Sequence, residues 1–184
     1  LPILSTIISA AFAWVIFDRY FFKRKTHQPA YHLLWWGIGI VTYGIGTLIE
    51  SINTLWGWSE PTFKAWYVAG ALLGGAPLAI GTLYLLAGKR PGHVAVVLLC
   101  LAVGITSIFV TLSPIKYELV DPALLSSKVL EWQSIRLVSP FINGSAFLLL
   151  VGGAFYSAVL FFRNPQTQHV SAGNILIAIG AILP

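Results

Sequence analysis

Charge is what this chain has least of. Only 9% of its 184 residues are Asp, Glu, Lys or Arg, against roughly 25% in an ordinary soluble domain. So little charge cannot keep a chain of this length in water, which excludes a soluble fold. Cysteine is nearly as scarce. Cys100 is the one thiol, so an internal disulfide and a cysteine-built metal centre are excluded. Methionine is missing altogether, and residue 1 is therefore expected to lie inside a longer chain. No segment alternates polar and apolar residues in the roughly ten-residue blocks of a membrane barrel. The chain has no HExxH, Walker loop or GxSxG elbow, and no paired carboxylates within an apolar run. Metalloprotease, nucleotide-hydrolysing and serine-hydrolase chemistry thus have no residues to carry them. An ion-coupled pump would need a relay of buried acids or histidines, and the runs do not carry one.

What is there instead is apolar length. Uncharged runs cover residues 1–17, 31–49, 65–88, 94–112, 137–162 and 170–183. About 20 helical residues cross a hydrocarbon core of about 30 Å. The first run reaches that length by continuing through Asp18 and Arg19, and the sixth stops at Pro184. Lacking a basic stretch before it and followed by Lys23, Arg24 and Lys25, the first run reads as a span and not a signal peptide. The expected fold is all-α: a polytopic membrane helix bundle forming one domain over 1–184. Six transmembrane helices are expected in this chain and seven in the intact protein. Short connections force antiparallel neighbours. Pro29, Pro61, Pro91, Pro140 and Pro165 stand near helix starts, and Gly57 and Gly88 at helix ends, as backbone chemistry favours.

The net charge of +5 is unevenly distributed. Seven basic residues (Arg19, Lys23, Arg24, Lys25, Lys89, Arg90, Arg163) fall at one end of the expected bundle, with Asp18. Four (Lys64, Lys116, Lys128, Arg136) fall at the other, with Glu50, Glu60, Glu118, Asp121 and Glu131. The positive-inside rule then places the N-terminus outside the cytoplasm. The basic excess is topology, and no nucleic-acid partner is expected; the expected partners are membrane lipids and other membrane subunits. The longest connection, 113–136, contains Asp121–Pro122, a helix-start signal. Leu124, Leu125, Val129, Trp132 and Ile135 follow on one side of a helical wheel. A short amphipathic helix is expected there, as a lid over the bundle or an anchor at the interface.

Three constellations stand out within the runs. In the third, Tyr67, Gly70, Gly74, Pro77, Gly81, Tyr84 and Gly88 recur at alternating spacings of three and four. The stripe predicts close helix packing through Gly70, Gly74 and Gly81, with a kink or hinge at Pro77. In the second run Tyr43, Thr47, Glu50 and Thr54 share a helical face. Together with Tyr67 and with Asn143 of the fifth run they are the candidate ligand-binding residues, an outward pocket centred on Glu50. Finally, His32, His93 and His169 begin three different helices at the basic end, with His27 nearby. They are weak candidates for a metal, a haem or a quinone, since no pair has a ligand spacing.

An out-to-in first helix with a seventh span to follow resembles the topology of seven-helix receptors and microbial rhodopsins. The third run, however, has no acidic residue where a rhodopsin pump would carry its carboxylates. The resemblance is architectural and implies no site. The function expected first is a non-catalytic multi-pass subunit or binding module, packing in a larger assembly through its glycine-rich faces. A transporter, sensor or receptor using the Glu50 pocket comes second, and a haem- or quinone-binding redox subunit third.

Overall fold

The computed structural model describes residues 1–122, 124–162 and 175–176. Among the described residues six α-helices carry the fold: α1 (Pro2–Lys25), α2 (Tyr31–Trp56), α3 (Glu60–Trp66), α4 (Ala76–Leu86), α5 (Lys89–Leu112) and α6 (Val138–Phe162). A π-helical segment, Tyr67–Leu72, continues α3 toward α4. Among the described residues there is no β-strand, only two isolated bridges. Among the described residues five stretches are long and apolar enough to cross a membrane: Pro2–Lys25, Tyr31–Trp56, Glu60–Leu86, Lys89–Leu112 and Gln133–Phe162. That is consistent with a multi-pass membrane protein. The expected sixth span, 170–183, lies outside the described residues apart from the helical pair Ile175 and Leu176.

Helices are the natural outcome for these segments, because an apolar stretch away from water must satisfy its own backbone. Their ends follow local chemistry. Gly57 stops α2 at φ 83° and Gly88 separates α4 from α5 at φ 89°, angles that cost a side chain-bearing residue but not glycine. Ser59 caps α3, its Oγ accepting from the Thr62 amide at 3.3 Å. α1 runs past its uncharged stretch and carries Lys23, Arg24 and Lys25 in its last turn, where cations meet the negative end of the helix dipole.

The helices lie side by side. α1 packs on α2, α2 on α4 and the π segment, and α4 on α6, with α5 laid more lightly against α4. Glycines set the closest approaches. A Cβ placed on Gly46 of α2 would stand 2.9 Å from the Gly70 Cα, and one on Gly39 would stand 2.6 Å from Leu78 Cγ. Gly37 receives the Phe17 ring and Gly81 the Trp36 ring in the same manner. α5 is different: Gly92, Thr106 and Val110 are its buried residues, and Val97, Leu101, Ile105 and Ile108 lie exposed.

The glycine stripe does not run down one continuous face. A π turn bonds five residues apart instead of four, so the three-and-four spacing loses phase between Tyr67 and Leu72. Gly70 and Gly81 still face α2, whereas a Cβ on Gly74 would meet the Gly70 carbonyl oxygen at 2.5 Å, a contact inside its own segment.

Connection 113–137 departs from expectation. In place of one amphipathic helix it forms three short 3-10 turns, Tyr117–Leu119, Ser127–Val129 and Gln133–Leu137. Lys116 donates its amide to Val129 O at 2.8 Å and Glu131 donates to Pro114 O at 3.1 Å, closing the connection on itself. Two effects work against the helix. An isolated helix of this length is marginal, and Ser126 binds the Lys128 amide through its own hydroxyl, competing with helical bonding. The apolar residues still turn inward: Val129, Leu130 and Ile135 are buried with Phe63, Tyr67, Leu72 and Val110 in the main core cluster. Leu124 and Trp132, expected on the same face, are exposed. The loop is pinned to the helices by Tyr117, whose hydroxyl donates to Glu60 Oε2 at 2.7 Å. That bond holds the Tyr117 phenol above its ordinary pKa.

The Gly46–Gly70 approach yields a direct test. Gly46→Leu should lower the melting temperature in detergent sharply, since overpacking costs about 1–3 kcal/mol. Gly104→Leu, where nothing lies within 4 Å, should leave it nearly unchanged. Equal effects would show that the two backbones are not in contact.

Candidate ligand site at the break in the third span

Four residues make the break. Gly70, Gly74 and Gly75 favour no regular turn strongly, and Pro77 has no N–H to offer the carbonyl four residues earlier, Leu73 O. The chain leaves the π segment at Leu72 and resumes helix at Ala76. Carbonyls released in an apolar bundle need other donors, and neighbouring helices supply them. From α2, the Thr42 hydroxyl reaches Leu73 O at 3.4 Å and Gly39 O at 3.0 Å. From α6, Ser139 Oγ and Asn143 Nδ2 both donate to Ala71 O at 2.7 Å. Asn143 Nδ2 also lies 3.1 Å from Ser139 Oγ, so the two α6 side chains act as one polar clamp.

Beside this clamp, toward the folded loop, a cavity of about 680 Å³ opens. Trp66, Tyr67, Ala71, Arg136, Leu137 and Ser139 form much of its wall. Arg136 is the one charged side chain on that wall. It donates from Nη1 to Gln133 Oε1 at 2.5 Å, and among the described residues it pairs with no carboxylate. Tyr67 is 1% exposed and its hydroxyl donates to Ile135 O at 3.4 Å, fixing the ring under the loop. The walls thus combine a guanidinium, hydroxyls and two aromatic rings, groups that can hold a small anion carrying some apolar surface.

The α2 ladder does not converge on this cavity. Thr47 is buried against α1, accepting from Thr6 Oγ1 at 3.0 Å while donating to Gly44 O. Tyr43 is 47% exposed, and Thr54, also exposed, donates to Glu50 O at 2.8 Å. Glu50 accepts from Trp66 Nε1 at 2.9 Å. It therefore stands behind one wall of the cavity without lining it. Lys64 is taken by Glu60 at 2.7 Å and by Thr111 O at 2.8 Å, so it is not the partner of Glu50. Of the candidate ligand residues, Tyr67 lines the cavity, Asn143 bonds the Ala71 carbonyl beside it, Glu50 holds Trp66 of its wall, and Tyr43, Thr47 and Thr54 do not line it.

Arg136, Ser139 and Trp66 are what sequence reasoning left out of the site. Ser139 stands four residues before Asn143, one helical turn away on the same face, a spacing visible in the sequence. Arg136 reads only as a loop charge until the loop is folded back over the helices.

The histidines disperse. His32 is half-buried with its ring 5.5 Å from that of Trp36, His93 Nδ1 lies 2.7 Å from the Tyr84 hydroxyl, and His27 is exposed. His169 lies outside the described residues. Among the described residues no group of three or more His, Cys, Asp or Glu could hold a metal ion.

The clamp should behave as a unit. Asn143→Leu should destabilise the protein by about 1 kcal/mol, since the part-buried Ala71 carbonyl loses one of its two donors and keeps Ser139. Ser139→Ala and Asn143→Ala combined should differ from the sum of the single changes, as groups sharing one acceptor do. Strict additivity of their melting shifts would argue against a shared acceptor. No protein-family model matches the chain, and no curated protein or solved structure is significantly similar to it.

Proposed function

We propose that this protein is a non-catalytic multi-pass membrane protein that binds a small anionic solute in the cavity beside its broken span. It would serve as a receptor, sensor or solute-binding module. The observation that carries this reading is Arg136: a cation on the wall of a roughly 680 Å³ cavity, without a carboxylate partner among the described residues. A guanidinium left unpaired beside hydroxyls and aromatic rings favours a carboxylate or phosphate with a modest apolar part. The break below it supports the same reading, since interrupted spans are tolerated where backbone lines a cavity. The basic end, with seven of the eleven Lys and Arg residues, faces the cytoplasm on this reading, and the cavity opens outside.

Assembly with other subunits is the second reading. The glycines of α2 and of the third span are occupied inside the chain. Support for a partner therefore shifts to Gly144 and Gly152 of α6, which have nothing within 4 Å and lie on one face, four residues either side of exposed Leu148.

A panel of small carboxylates and phosphates, screened by thermal shift on the purified protein, tests the binding proposal. A ligand should raise the melting temperature by mass action, and Arg136→Gln should remove that rise. Glu50→Gln should retain most of it, since Glu50 does not line the cavity. A rise undiminished in Arg136→Gln would refute the site. Orientation has its own test: in a Cys100→Ala background, Lys128→Cys should react with an impermeant thiol reagent from outside intact cells and Thr26→Cys should not. The reverse pattern would invert the topology.

A further inference from the structure

A second crevice lies at the opposite, basic end, where α1 leaves the bundle and turns into α2. It encloses about 460 Å³, with Tyr20, Arg24, Gln28, Tyr31, Leu34 and Lys89 on its walls. Its two cations come from different helices, Arg24 from the last turn of α1 and Lys89 from the first of α5. Among the described residues neither pairs with a carboxylate. The one acidic residue at this end, Asp18, is exposed and precedes Arg24 by six residues of α1, more than a turn and a half away.

Lys89 is held in position by its surroundings. Its ammonium lies over the Tyr31 ring, 5.5 Å from the centroid. Tyr31 stacks on Tyr84 at 5.4 Å, and the Tyr84 hydroxyl is hydrogen-bonded to His93 Nδ1 at 2.7 Å. The start of α5 is seated so closely that a Cβ on Gly92 would stand 2.5 Å from the Tyr84 ring. Two tyrosine rings, one imidazole and a tight helix contact thus hold one ammonium at the crevice wall. Arg24 lies past the apolar run of α1 and Lys89 ahead of that of α5, while Tyr20 precedes Arg24 by four residues and Leu34 follows Tyr31 by three, about one helical turn nearer the middle of the bundle in each case. Charge above and apolar wall below is the polarity profile of a lipid at the headgroup boundary.

We propose that this crevice binds the phosphate of an anionic phospholipid, with Arg24 and Lys89 on the phosphate oxygens, the Gln28 amide as a neutral donor, and the acyl chains descending past Tyr20 and Leu34. The apolar wall adds nothing for inorganic phosphate, and the two cations repel the choline of a zwitterionic lipid. Both differences favour an anionic lipid over those alternatives. The site is separate from the cavity at the loop end and does not depend on the reading given to it.

The test uses the full chain in a neutral detergent, melted with phosphatidylglycerol, phosphatidylcholine or inorganic phosphate added. Phosphatidylglycerol should raise the melting temperature by a few degrees, and the other two should not. The rise should disappear in Arg24→Gln/Lys89→Gln and persist in Lys116→Gln/Lys128→Gln, which removes two cations from the opposite end. A rise of equal size in Arg24→Gln/Lys89→Gln overturns the site. The same rise with inorganic phosphate alone overturns its assignment to a lipid. Native mass spectrometry gives a readout independent of melting: the unaltered chain should retain phosphatidylglycerol in preference to phosphatidylcholine. Equal retention of the two lipids also refutes the proposal.

Discussion

A backbone carbonyl that loses its helical donor in apolar surroundings must find another, and the centre of this protein is arranged around that requirement. The third span is broken between Leu72 and Ala76, and Pro77 withholds the donor that Leu73 O would otherwise receive. Thr42, Ser139 and Asn143 replace the missing donors. Each is a small polar residue on an otherwise apolar helix, and each points at the break. An unsatisfied group there would cost several kcal/mol, more than most single packing contacts contribute. The break therefore dictates where α2 and α6 stand, and the Gly46–Gly70 approach lets α2 come close enough for Thr42 to reach.

The same break opens room at the loop end. The π segment carries Tyr67 under the folded loop, where Val129, Leu130 and Ile135 close over it. Arg136 follows directly on Ile135, so burying one residue sets the other at the cavity wall. Core packing and the candidate site are in this way parts of one arrangement. At the other end the determinant is a different one. There, aromatic stacking among Tyr31, Tyr84 and His93 fixes the start of α5 and the direction of Lys89. Two polar regions are separated by the apolar thickness of the bundle, and the charge asymmetry along the chain distinguishes them.

Much of the architecture was legible in the residues. Helical spans follow from uncharged runs, since length and hydrophobicity are additive along the chain. The turns at Gly57 and Gly88 and the cap at Ser59 follow from local backbone chemistry. The site was legible only in part. Asn143 and Tyr67 could be named as polar residues on apolar helices, but Glu50 attracts attention for its charge and the structure gives it to Trp66. The ladder from Tyr43 to Thr54 does not line the cavity beside the break, because sharing a helical face does not mean sharing a neighbour. α2 is long enough for Thr47 to meet α1 while Glu50 meets Trp66.

Composition and periodicity by themselves determined that the described chain is helical, which five of its stretches are long and apolar enough to cross a membrane, and where its basic residues cluster, because each property depends on residues close together in sequence. Tertiary structure alone decided that the third span carries a π turn, that 113–137 folds as a knot of short turns instead of a helix, and that Arg136 reaches the cavity. Those outcomes rest on contacts between residues about 70 apart, such as Ala71 with Asn143 and Tyr67 with Ile135. A wide turn is stable only when the donors that complete it are brought from another helix, and no local pattern records their arrival.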